Sequence, residues 1–134
     1  MNDLLQYIET IRTVLGRYPE ITIATVFGSI TKNRMTLDSD IDIGIAGDAV
    51  FTFDYKNALM IELSSALSKE VDIVDMRAVS GTILKQALSS GEIIKKQSNS
   101  TLVYLMKKLW YNQADMMPLV DRIAQSHIRR FIHG

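Results

Sequence analysis

The 134 residues are 47% hydrophobic and 22% charged, with 15 basic against 15 acidic side chains, which suits one soluble domain with a single core. The absence of cysteine excludes disulfides and thiolate metal sites and fits a reducing cytoplasm. No run approaches the roughly eighteen apolar residues of a membrane span, and the acidic, amphipathic start MNDLLQYIET does not read as a signal peptide.

In chain order, residues 3–16 are predicted helical. Leu4, Ile8, Ile11 and Leu15 fall on one stripe and Gly16 ends it. Residues 21–27 are rich in β-branched side chains and read as a strand. Gly28-Ser29 is a turn, with a short helix expected over 29–33. Residues 40–46 alternate Ile41, Ile43 and Ile45 with Asp40, Asp42 and Gly44, the pattern of a half-buried strand. A helix is expected over 54–67, with Leu59, Leu63 and Leu67 stacked at four-residue spacing. A strand over 71–74, a helix over 80–88 and a short strand over 92–95 follow. Ser98 or Ser100 caps a long helix carrying Leu102, Leu105, Met106, Leu109 and Trp110 on one face. Pro118 suits the first residue of a last helix, whose stripe is Val120, Ile123, Ala124, His127 and Phe131. This order predicts an α+β fold: a small mixed sheet flanked by helices, with a helical C-terminal tail. Residues 1–97 would form an α/β core and 98–134 the tail of one domain.

Chemistry concentrates in GSITKNRMTLDSDID, residues 28–42. Gly28 permits a tight turn and a close backbone approach to a ligand. Ser29 offers a hydroxyl and an N–H to a phosphate where a helix begins. Asp40 and Asp42 share one strand face at roughly 7 Å, and two such carboxylates repel unless a cation lies between them. Hard oxygen donors beside a phosphate-binding turn suit Mg²⁺ and a nucleoside triphosphate. A third carboxylate, Asp72, lies in the apolar run Val71-Asp72-Ile73-Val74-Asp75. An aspartate there is costly unless a metal or a basic side chain pairs with it. His127, on an apolar stripe, reads as packed or partner-facing, not catalytic.

Charge is unevenly spread. Residues 1–94 carry 8 basic and 13 acidic side chains, and residues 95–134 carry 7 and 2. A basic tail can bind a polyanion or an acidic partner, or fold against the acidic body.

Gly28-Ser29, ten residues, Asp40-x-Asp42 and a later lone Asp72 together resemble the pattern of the DNA polymerase β-like nucleotidyltransferases. The short chain resembles the minimal nucleotidyltransferases, among them the MntA antitoxins of HepT–MntA toxin–antitoxin pairs. The likeness spans residues 21–94 by motif and element order. It implies that the strands bearing Asp42 and Asp72 are neighbours. Asp40 and Asp42 would hold one Mg²⁺ against ATP, and Asp42 and Asp72 a second Mg²⁺ at the acceptor hydroxyl. Asp72 could also take the proton. Gly28, Ser29, Lys32 and Ser39 would contact the nucleotide, with Arg34 as a further positive charge. Many relatives carry Ala-Arg-Gly where this chain has Thr31-Lys32-Asn33; Lys32 keeps the charge without the guanidinium fork.

So small a domain leaves little room for an acceptor-binding module, so the acceptor is expected on another protein. The resemblance implies AMP transfer to a tyrosine of a cognate HepT-type RNase toxin. The expected assembly is a hetero-oligomer with that toxin in the cytoplasm, docked through the tail, with neither nucleic acid nor membrane bound. The alternatives are transfer to a small molecule such as an aminoglycoside, or a non-catalytic antitoxin that acts by binding alone.

Overall fold

The computed structural model describes residues 3–28 and 40–114. The elements in order are α1 (Asp3–Leu15), β1 (Ile23–Phe27), β2 (Ile41–Ala46), α2 (Phe53–Leu67), β3 (Val71–Asp75), α3 (Gly81–Ser89), β4 (Glu92–Lys96) and α4 (Asn99–Ala114). Each matches a segment expected from the sequence to within two residues at its start. Local chemistry sets several of the ends. Thr52 caps α2, its Oγ1 accepting from the Tyr55 N–H at 3.2 Å. Ser98, not Ser100, caps α4, its Oγ accepting from the Thr101 N–H at 3.2 Å. The last expected helix, from Pro118 onward, lies outside the described residues.

The four strands form one sheet in the order β3-β2-β1-β4. β1 runs antiparallel to β2 and β4, whereas β2 and β3 are parallel, so the sheet is mixed. Parallel neighbours need a crossover, and the 15 residues of α2 supply it.

Helices cover both faces. On one, Ile11 and Leu15 of α1 and Leu59 and Leu63 of α2 pack on Val26, Ile41, Ile43 and Ile45. On the other, Leu84 and Ala87 of α3 and Leu105 of α4 pack with Ile23, Phe27, Ala46 and Met76. β2 is therefore buried on both sides beyond Asp42, not half-buried as its alternation suggested. Gly44 explains the difference. A Cβ there would lie 2.7 Å from Thr25 Oγ1 and 3.3 Å from Ala87 Cβ, so the missing side chain lets α3 settle on the strand.

Two further expectations change. Leu105 is buried, so the first half of the supposed tail belongs to the core. Its buried stripe runs through Thr101 and Leu105, with Leu102 and Leu109 half-buried. Met106 and Trp110 sit one position further round, about 100° on a helix, and stay exposed. In β3, the costly buried aspartate is Asp75 and not Asp72, which is exposed. Asp75 is satisfied by backbone: it accepts from the Phe51 N–H at 2.7 Å and the Arg77 N–H at 3.0 Å.

Candidate active site

The end of β1 and the beginnings of β2 and β3 meet at one end of the sheet. Phe27 pairs with Asp42, and Asp42 pairs with Asp72. Residues directly opposite on neighbouring strands present their side chains to one face, with strands ~4.8 Å apart. Asp42 and Asp72 are thus side by side. Asp40 stands exposed at the entry to β2.

Gly28 closes the other flank. Its φ of 87° is in the left-handed region that favours glycine. A Cβ at this position would also run into Asp42 Oδ2. Only glycine therefore lets the turn after β1 lie against the carboxylate.

Burial pushes the Asp42 carboxyl above its ordinary value of 3.8, and the charges of Asp72 and Asp40 push it further. A cation bound here reverses that cost. The oxygen-only donor set fits a hard divalent ion such as Mg²⁺, which needs only one or two carboxylates when phosphate oxygens and waters complete its shell. Among the described residues, no group of three histidine or acidic side chains forms a ready-made cage. Asp40, Asp42 and Asp72 are instead ranged along the sheet end, open to a ligand.

Beside Asp72, the first turns of α2 and the edge of β3 enclose an open pocket of about 210 Å³. Phe53, Lys56, Asn57, Met60, Asp72 and Ile73 line it.

A sequence model for polymerase beta nucleotidyltransferases matches residues 9–100, which include all of these strands and carboxylates. The chain belongs to this nucleotidyltransferase family. It is similar to the protein adenylyltransferase MntA of Shewanella oneidensis strain MR-1, with 23% identity over 116 residues and 84% of each chain covered. Its fold matches the crystal structure of a toxin–antitoxin with AMP-PNP at a TM-score of 0.69 and 22% identity, over 93% of this chain and 98% of that one. It also matches the tri-AMPylated Shewanella oneidensis HEPN toxin in complex with MNT antitoxin, at a TM-score of 0.66 and 22% identity, over 90% and 98% of the two chains.

Of the residues that the sequence singled out in this nucleotidyltransferase, Gly28, Asp40, Asp42 and Asp72 gather at one site. Ser29, Lys32, Arg34 and Ser39 lie outside the described residues. Sequence reading passed over the pocket beside Asp72. Phe53 and Met60 look there like ordinary helix residues. The available signal was Thr52, a capping residue that puts Phe53 at the first position of a helix, where nothing requires an aromatic side chain.

Proposed function

We propose that this nucleotidyltransferase is a Mg²⁺-dependent protein adenylyltransferase. It moves AMP from ATP to a tyrosine hydroxyl of a cognate HepT-type RNase toxin and so acts as the antitoxin. The observation that carries the reading is Asp42 held between Asp72 and the Gly28 turn, with Asp40 at its side. A non-catalytic binder has no use for repelling carboxylates kept together. The similarity to MntA and to AMPylated toxin complexes supports the choice of acceptor.

Asp40 and Asp42 would hold one Mg²⁺, and Asp42 and Asp72 a second. When bound, Mg²⁺ neutralises phosphate charge and eases ionisation of the acceptor hydroxyl. The Gly28 turn and Ser29 orient the β- and γ-phosphates, with Lys32 and Ser39 as further nucleotide contacts. Asp72 accepts the hydroxyl proton. The tyrosine oxygen bonds to the α-phosphorus, the bridging bond to the β-phosphate breaks, and pyrophosphate leaves. Residues 1–134 work as one domain in the cytoplasm, in a hetero-oligomer with the toxin.

The test is incubation with labelled ATP, Mg²⁺ and the toxin encoded beside this chain, followed by mass spectrometry. Wild-type protein should add AMP to a toxin tyrosine. Asp40→Asn and Asp42→Asn should each lower the rate about a hundredfold or more while remaining folded. Near-normal transfer by both variants would sink the metal-site assignment.

A further inference from the structure

We infer that Gln86 of α3 is a specificity-determining residue, which reads the edge of the nucleotide's base in a slot between α3 and β3. The inference rests on the transfer reading above and adds where the base goes and what selects it. Strand alternation begins the argument. Phe27, Asp42 and Asp72 share one row across β1, β2 and β3. Phe27 belongs to the core under α3, so all three side chains open on the α3 face. Thr25, Gly44 and Val74 form the next row, roughly 7 Å further from the sheet end. α3 packs on β1 and β2. Cover over the face fades accordingly toward β3: Thr25 and Gly44 are buried, whereas Val74 is half-buried and Asp72 exposed.

Helix geometry places Gln86 over that gap. A Cβ at Gly44 would lie 3.3 Å from Ala87 Cβ, and one at Gly91 would lie 2.9 Å from Phe27 Cβ, so α3 climbs from the second row to the first. Gln86, next to Ala87, stands level with Val74. Leu88 turns toward β4, where it lines the apolar groove with Ile93. At about 100° per residue, Gln86 and Ile83 lie roughly 160° and 140° round the helix from Leu88, so they take the opposite flank, above β2 and β3. Gln86 is exposed and Ile83 is 49% exposed. Ile83 and Val74 thus leave an apolar slot with one amide on its wall.

The reaction points a nucleoside into this slot. In-line displacement reserves the line from the Gly28 turn through Asp42 toward β3 for pyrophosphate and the attacking oxygen. The nucleoside hangs from another oxygen of the α-phosphate and leaves across that line, down the α3 face. Ile83 and Val74 then cover the faces of the base, as apolar side chains do in small-molecule sites. Gln86 supplies the polar group that fixes its edge. A carboxamide carries both an acceptor and donors. Its carbonyl accepts from adenine N6–H while its NH₂ donates to N7. Guanine presents acceptors at both positions and leaves the carbonyl facing an oxygen. Gln86 therefore selects ATP over GTP.

The experiment is calorimetry on the full chain with Mg²⁺, using AMP-PNP, GMP-PNP and inorganic tripolyphosphate, which fills the phosphate part alone. Wild type should bind AMP-PNP roughly tenfold tighter than GMP-PNP. Gln86→Ala should lose most of that ratio through weaker AMP-PNP binding, with tripolyphosphate affinity unchanged. Ile83→Ala should weaken both nucleotides about equally, because it covers the base without reading its edge. Both side chains are exposed, so melting temperatures should stay within about 2 °C of wild type. An unchanged AMP-PNP to GMP-PNP ratio in Gln86→Ala, or no preference in wild type, would overturn the inference and leave the adenylyltransferase reading standing. Failure of wild type to bind either AMP-PNP or tripolyphosphate would overturn the transfer reading itself, and the base slot with it.

Discussion

Asp42 stabilises one ligand state at the expense of the empty one. Its carboxyl binds a proton more tightly in the folded chain than at its ordinary value of 3.8, because of burial and of Asp72 and Asp40. Such a group contributes stability that is fully present below about pH 3.8 and lost as pH rises through its raised folded value. At pH 7 without metal, the ionised group is a net cost. Asp42→Asn should therefore raise the metal-free melting temperature at pH 7 by roughly 2–5 °C, with the gain shrinking as pH falls toward 4. A melting series across that range checks it; a variant that melts lower at pH 7 would refute the repulsion argument. Thr25 is the second informative residue. Its Oγ1 is buried with no hydrogen-bond partner among the described residues, facing the Gly44 backbone. Thr25→Val keeps the shape and removes the orphan hydroxyl, so urea unfolding should show no loss and up to about 1 kcal/mol of gain. A loss above that size would mean the hydroxyl has a partner.

At the scale of elements, α4 has two characters. Thr101 and Leu105 anchor it to the sheet, whereas Met106 and Trp110 remain 55% and 47% exposed. Leu88, Ile93, Leu102 and Leu109 join them along an apolar groove of about 520 Å³ between α3, β4 and α4. Tyr104 and Tyr111 are exposed on the same helix. Aromatic and methionine side chains of this kind anchor adaptable interfaces. The proposed docking of the toxin on the C-terminal part of the chain thus has a described surface to start from. Met106→Ala with Trp110→Ala should weaken toxin capture about tenfold or more, with AMP-PNP affinity unchanged and the melting temperature within about 2 °C. A large drop in melting temperature would instead make these residues core.

At the scale of the whole molecule, the proposed site joins three strands that the chain visits at separate times. A ligand that bridges the Gly28 turn, β2 and β3 binds only the folded state. Mg²⁺ with AMP-PNP at a hundred times its dissociation constant should stabilise the protein by about 2.7 kcal/mol, or roughly 5–15 °C in melting temperature. Asp42→Asn should lose most of that rise although it melts higher without ligand. Equal rises in both proteins, read by scanning calorimetry, would place nucleotide and metal somewhere other than Asp42. Because this readout involves no toxin, it separates the nucleotide site from the partner.

Local pattern carried much of this protein. Ile41, Ile43 and Ile45 announce a strand, Leu59, Leu63 and Leu67 a helix, and Gly28 with Asp40 and Asp42 a phosphate turn beside a cation. These signals rest on repeats of two and about 3.6 residues and on turn chemistry, which need no distant partner. Packing decided the rest. That Asp42 lies opposite Asp72 depends on β2 and β3 pairing across the whole of α2. That Asp75 is buried and Asp72 exposed depends on where the β2–α2 connection folds back. The burial of Gly44 depends on α3 covering the second face of the sheet. The pocket at Phe53 exists because β3 is the edge strand and α2 lies beside it. Strand order, edges and covered faces arise from contacts between residues far apart in the chain, and no local repeat encodes which distant surfaces will meet.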